Sequence, residues 1–185
     1  MRMTVNRGAT RPAAPVRERL VLEATRLFAT DGFARTSLSR TAVAAECSVG
    51  AIHFHFGDKR GLFRECYRAA WRALPVSIDE GGGTAADRVV RIVDASSADP
   101  YLPRLATQAV EALGASGAVG VERELWGPAL GANDSVAERL VATLIRDLTT
   151  SRETQSRDQV VRALIDGLFS SDCQSSRRMG SVGSS

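Results

Sequence analysis

Thr36-Ser37-Leu38-Ser39-Arg40-Thr41-Ala42-Val43-Ala44-Ala45-Glu46-Cys47-Ser48-Val49-Gly50-Ala51-Ile52-His53-Phe54-His55-Phe56-Gly57-Asp58-Lys59 is the stretch on which the fold turns. Thr36 and Ser37 carry hydroxyls that cap helices, and a short helical stretch, Ser39–Ala45, follows them. Glu46-Cys47-Ser48 interrupts it, and a second short helix runs from Val49 to about His55. Helices of about seven residues are unstable alone, so this pair requires longer neighbours. Upstream, Pro15 is a good first helical residue, and Val16, Leu20, Ala24, Leu27 and Phe28 recur at helical spacing up to Asp31, where Gly32 stops the helix. Downstream, Gly57-Asp58 precedes a longer helix from Lys59 to about Leu74, with Leu62, Phe63, Cys66, Ala70 and Leu74 on its apolar side. Phe54 and Phe56 are expected in the core.

Long, short, turn, short, long is the arrangement of a helix-turn-helix unit. Its second helix enters a DNA major groove about 12 Å wide while the first holds it against the backbone. Such a helix needs small residues, and Val49-Gly50-Ala51 supply them; Val49 and Ala51 can touch thymine methyl groups. The Thr36, Ser37 and Ser48 hydroxyls, with His53, His55 and Lys59, suit phosphate oxygens. Lys59 is the only lysine among 24 basic residues, and with the first amides of its helix it forms a candidate anion site. Arg40 can reach a phosphate or a guanine, or stand solvated. His53 and His55 fall on different helix faces and make a poor metal pair. The row Arg64, Arg68, Arg72 reads as a solvated face.

Charge divides the chain. Residues 1–74 hold 13 Lys/Arg and 6 Asp/Glu, a net +7, whereas residues 75–185 hold 11 and 15, a net −4. The first part suits a polyanion and the second suits packing, dimerisation or sensing. No run of 18 apolar residues occurs and Met1–Pro15 lacks the apolar core of a secretory signal, so a cytoplasmic location is expected. Cys47, Cys66 and Cys173 lack metal-ligand spacing and are read as buried thiols, with a redox role for Cys47 as the alternative.

From Val16 to about Trp71 the chain resembles the TetR-family DNA-binding domain. The resemblance rests on Phe28, Gly32, Phe33, Thr36, Ser37, Leu38, Ala42, Ala45, Ser48, Gly50, Ile52, His55, Phe56, Lys59 and Leu62. It implies an all-α protein, with an N-terminal three-helix DNA-binding domain and a C-terminal helical effector and dimerisation domain. Three residues depart from the family pattern: Glu46 stands for Gly, His53 for Tyr and Thr41 for Ile. A Glu at a turn position that needs positive φ carries strain of about a kcal/mol. Thr41 weakens the packing between the short helices, and His53 still donates to phosphate.

The domains expected are a basic arm over 1–14, a DNA-binding domain over 15–75 with its helix-turn-helix at about 39–58, a helical ligand-binding and dimerisation domain over 76–170, and a polar tail over 171–185. Beyond the Gly81-Gly82-Gly83 linker, one helix is capped by Thr84 and ends near Asp99-Pro100. A second carries Leu105, Ala109 and Leu113 up to the Gly114–Gly120 region, and a third around Val121–Leu125 is broken at Gly127-Pro128. Capping boxes open two more at Ser135 and Ser156. Trp71, Tyr101, Leu105, Trp126 and Leu130 are candidate ligand-pocket residues, although core packing is the leading reading of each. Val160, Val161, Leu164, Ile165, Leu168 and Phe169 form an apolar stripe suited to a dimer interface. The family usually has one more helix after a segment like Ile165–Leu168, where this chain has the polar stretch Ser170–Ser185.

No nucleotide loop, metal cluster or Ser/His/Asp set occurs, so neither a cofactor nor an enzyme is expected. The expected function is a ligand-responsive repressor that binds a palindromic double-stranded operator as a homodimer and answers to a small-molecule effector. The alternative is a TetR-like helical ligand- or partner-binding protein without specific DNA binding.

Overall fold

The computed structural model describes residues 14–74, 84–130 and 135–150, together with Gln159 and Ala163. Seven helices are described: α1 (Val16–Asp31), α2 (Leu38–Ala44), α3 (Val49–Phe56), α4 (Lys59–Arg72), α5 (Ala85–Ala98), α6 (Leu102–Leu130) and α7 (Ser135–Thr150). No strand occurs among the described residues, so the all-α expectation holds.

The first four helices share a small core. Leu20, Ala24 and Phe28 of α1, Ile52 of α3, and Leu62, Phe63, Cys66, Tyr67 and Trp71 of α4 are buried in it. Phe63 meets Phe28 edge-on at 5.1 Å and Phe33 at 5.4 Å between ring centroids. Each buried ring of this size stabilises the fold by roughly 2–3 kcal/mol through removal of apolar surface from water. The α1 helix ends at Gly32, whose φ of 90° lies in the left-handed region that glycine tolerates. Burial pushes the Cys66 thiol up to about 12, so it remains protonated and serves as a small apolar side chain.

The body packs on this head through α6, which lies against both α1 and α4. Gln108 of α6 accepts from the Phe33 amide at 2.6 Å and donates to the Phe28 carbonyl at 3.1 Å, sealing the C-terminal end of α1. Lower on α6, Glu122 is fully buried and receives the Tyr67 hydroxyl at 2.6 Å and Arg146 Nη1 of α7 at 3.0 and 3.1 Å. Ser96 and Thr149 hydrogen-bond at 2.7 Å between α5 and α7. Desolvation pushes the Glu122 carboxyl above its usual range, while the Tyr67 hydroxyl and Arg146 pull it back.

Two sequence expectations change. The break expected in the Gly114–Gly120 region falls at Gly114 alone, whose backbone leaves the helix (φ 74°, ψ 162°), and α6 resumes directly after it and runs on through Gly117, Gly120 and Gly127-Pro128 to Leu130. Leu105, Ala106, Ala109 and Ala112 before Gly114 and Ala118 and Val121 after it are buried, and in the second part that packing outweighs the penalty of about 1 kcal/mol for a helical glycine. The row Arg64, Arg68, Arg72 is not uniformly solvated: Arg68 and Arg72 bond Glu124 of α6 at 2.8 and 3.0 Å, and Arg68 also pairs with Glu65. Trp71 and Leu105, candidates for a ligand pocket but read first as core, are 1% and 0% exposed within the core. The helix expected after Ser156 lies outside the described residues, apart from Gln159 and Ala163.

The buried ion pair sets a test. Arg146→Met leaves the Glu122 carboxylate buried with only the tyrosine hydroxyl, and a loss of about 3–5 kcal/mol is expected. The double change Glu122→Leu with Arg146→Met removes both charges and should recover most of it. Urea titration of the two variants decides; equal losses would mean that the charge pairing is not what the site depends on.

Candidate DNA-binding surface

Ser37 and Ser48 start the two short helices. The Ser37 hydroxyl accepts from the Arg40 amide at 3.2 Å and the Ser48 hydroxyl from the Ala51 amide at 3.3 Å, each satisfying an otherwise orphaned helix donor. Both residues are exposed, so their outer faces and the remaining first-turn amides point to solvent. Thr36 does not join them. It is 2% exposed, and its hydroxyl donates to the Gly32 carbonyl at 2.8 Å, fixing the loop between α1 and α2.

Between the helices the turn closes by two backbone bonds, Cys47 N–H to the Ala42 carbonyl at 2.9 Å and Glu46 N–H to the Val43 carbonyl at 3.1 Å. This is a Schellman arrangement, whose C′ residue requires a left-handed backbone. That residue is Glu46, with φ 51°, the only positive-φ non-glycine among the described residues. Arg19 of α1 holds the turn from outside, its Nε donating to the Ala45 carbonyl at 3.2 Å. The sequence reading missed Arg19, because nothing in its spacing announces a partner 26 residues away.

Along α3, Ile52 is buried and Val49 and Ala51 pack half-buried against the core, while Gly50, His53, Phe54 and His55 are exposed. Two expectations therefore exchange places: Val49 and Ala51 turn partly inward, and Phe54, expected in the core, is 84% exposed. The cause is register. Ile52 fixes which face of α3 is buried, and a residue two positions on falls about 200° around the helix. Phe56 is half-buried, with the Arg17 guanidinium 5.6 Å above its ring. His53 Nδ1 lies 2.7 Å from the Gly57 carbonyl, to which it donates, leaving Nε2 directed away.

The corner between α3 and α4 is tight. A Cβ on Gly61 would stand 2.0 Å from the Phe56 carbonyl oxygen, so this position accommodates only glycine. The anion site expected at the start of α4 is altered: the Asp58 carboxylate caps that helix by accepting from the Gly61 amide at 2.7 Å. Lys59 Nζ donates to the Ala34 carbonyl at 3.2 Å and sits 4.6 Å above the Phe33 ring, tying α4 to the loop before α2. Arg40 pairs with Asp31 at the end of α1.

Of the expected pocket residues that the structure describes, Trp71 and Leu105 are core. Tyr101, half-buried, lines an open groove of about 610 Å³ with Arg17, Leu22, Arg68 and Asp99. The side chains of Trp126 and Leu130, and the stripe from Val160 to Phe169, lie outside the described residues.

Residues 20–66 match the family model for bacterial regulatory proteins of the tetR family. The whole chain is similar in structure to a TetR-family regulator from Streptomyces coelicolor A3, at 23% identity and a TM-score of 0.52, over 88% of this chain and 98% of that one. Salmonella enterica GusR is similar at 20% identity and a TM-score of 0.53, over 86% and 98%. The fatty acid degradation regulator FadR from Bacillus halodurans is similar at 15% identity and a TM-score of 0.51, over 84% and 96%. No curated protein sequence matches the chain. The N-terminal domain belongs to the TetR family, and the chain as a whole has the fold of TetR-family transcriptional regulators.

Two substitutions probe the surface's scaffold. Glu46→Gly relieves the left-handed strain and should stabilise the protein by about 1 kcal/mol, raising Tm by roughly 2–4 °C; an unchanged or lower Tm would remove the strain account. Gly61→Ala drives a methyl into the Phe56 carbonyl and should cost about 1–3 kcal/mol, read by the same melting experiment.

Proposed function

We propose that this protein is a ligand-responsive transcriptional repressor that binds a palindromic operator as a homodimer, with residues 15–75 holding DNA and residues 76–170 binding effector and partner. The observation that carries this reading is the exposed face of α3, flanked by the capped starts of two helices and set in the basic part of the chain. Ser37, Ser48, His53 and His55 contact phosphate, and Gly50 lets the helix backbone approach the base edges. Lys59 and Arg40 act at the margin, the lysine chiefly by holding the loop that carries Thr36 and Ser37.

One reading helix of eight residues buries too little surface to select a site alone. Two copies spaced by one turn of DNA, roughly 34 Å, supply the remainder. Val160, Val161, Leu164, Ile165, Leu168 and Phe169 are the proposed interface. Sensitivity to a small molecule draws support from a similar structure, FadR from Bacillus subtilis in complex with stearoyl-CoA, at 15% identity and a TM-score of 0.50. Among the described residues no helix is long and apolar enough to cross a membrane, in keeping with a protein that meets DNA in the cytoplasm.

A second reading, a helical ligand- or partner-binding protein without specific DNA binding, is favoured by Glu46 alone, whose carboxylate stands in the turn beside the reading helix. In vitro selection of bound DNA separates the two. A regulator enriches palindromes with half-sites about 10 base pairs apart, and its affinity falls steeply with salt. Lys59→Ala should weaken binding to all sequences alike without changing which is preferred. Absence of any enriched sequence, with the dimer intact by light scattering, would favour the second reading.

A further inference from the structure

We propose that Phe54 is the residue of α3 that sets operator preference, and that it does so by packing on the 5-methyl group of thymine in the major groove. This rests on the reading of the chain as a DNA-binding protein and deepens it by naming the base feature recognised.

Three observations converge on the ring. Phe54 is 84% exposed, the most exposed of the large apolar side chains among the described residues, and its close aromatic neighbour is His55, also exposed, edge-on at 5.0 Å. The fold therefore does not use it as core. It also stands four residues after Gly50, on the same helix face. Helical side chains lean toward the N-terminus, so the ring lies along the strip of α3 that passes Gly50. A Cβ at Gly50 would meet only the Ser48 hydroxyl, at 3.6 Å, so that strip is clear for a base edge.

The third observation is what α3 lacks. Val49–Phe56 contains no Arg, Lys, Asn, Gln, Asp or Glu, the side chains that read guanine, adenine or cytosine by hydrogen bonds. His53 has its Nδ1 committed to the Gly57 carbonyl. Val49 and Ala51 are half-buried against the core. With His53 and His55 assigned to phosphate, the exposed aromatic ring is the discriminating group that remains, and thymine's methyl is the apolar feature the major groove offers it. Val43, 78% exposed on α2, is a second exposed apolar side chain but lies off the reading helix, which makes it a natural control.

The test uses the full chain and the sequence enriched by in vitro selection, prepared with thymine and with deoxyuridine replacing each half-site thymine in turn. Uracil pairs as thymine does and lacks only the methyl. At one position per half-site, uracil should weaken wild-type binding about fourfold, and replacement in both half-sites about fifteenfold, as expected for loss of one buried methyl each. Phe54→Ala should bind both DNAs equally, at the affinity of the wild type for the uracil form, with Tm unchanged because the ring is exposed. Phe54→Leu should retain part of the discrimination and Val43→Ala all of it. Wild-type protein that binds its sequence but treats thymine and uracil alike overturns the inference and leaves DNA binding standing, as does discrimination that survives in Phe54→Ala. If no sequence is enriched, the inference falls together with the reading on which it rests.

Discussion

The aromatic row that α4 presents to its neighbours holds the molecule together. Phe63 packs on Phe28 of α1, Tyr67 stacks near Phe63 at 6.2 Å, and Trp71 meets Tyr67 edge-on at 6.0 Å. The spacing of four residues keeps the three rings on one helix face, and that face runs from the DNA-facing end into the body. Two short helices that cannot persist alone are thereby fixed: α3 by Ile52 and the close approach at Gly61, α2 by Thr41, Ala42 and Ala45, all buried. Without the row, the reading surface would have no fixed geometry.

At the far end of the same row, apolar packing gives way to a buried charge. Tyr67 hands its hydroxyl to Glu122, which Arg146 neutralises. Such a site gains little stability over an apolar one of equal volume, since desolvation offsets most of the attraction. It does impose geometry: the carboxylate is satisfied only when α4, α6 and α7 stand in one register. On the other side of the Gly114 kink Gln108 ties α6 to the end of α1, its Oε1 accepting from the Phe33 amide. The head is thus tied to the body by polar contacts along α6, from Gln108 before the kink to Glu122 and Glu124 after it.

The N-terminal half was legible in the sequence because its signals are local. Hydroxyls before apolar runs mark the helix starts, Gly32 and Gly57 mark two of the ends, and the strain expected at Glu46 is present as its φ of 51°. What escaped was non-local or a matter of register. Phe54 and Phe56 look alike in composition, and only the burial of Ile52 settles which one turns outward. Thr36 offers the same hydroxyl as Ser37, yet the loop turns one inward and leaves the other as a cap. In the body, glycines at 114, 117 and 120 argue for a break; the backbone breaks at Gly114 only, and the helix holds through 117 and 120 beside the buried Ala118 and Val121, packing that a sequence window does not contain.

Electrostatics and surface chemistry divide the work on the proposed DNA face. The cations nearest the turn are partly engaged within the protein: Arg40 with Asp31, Arg19 with the turn carbonyls, Lys59 with Ala34. They position the loops and still contribute to the positive field of the domain, since an exposed pair neutralises little in water. Attraction to the phosphate backbone is therefore spread over the domain and is insensitive to sequence. Discrimination, by contrast, falls on the narrow strip of α3 between Gly50 and Phe54, where one glycine provides access and one ring provides contact. A carboxylate four residues before that strip, in the Glu46 turn, opposes the field where the helix enters the groove, so operators that bind well have to recover through shape and methyl contacts what this charge removes.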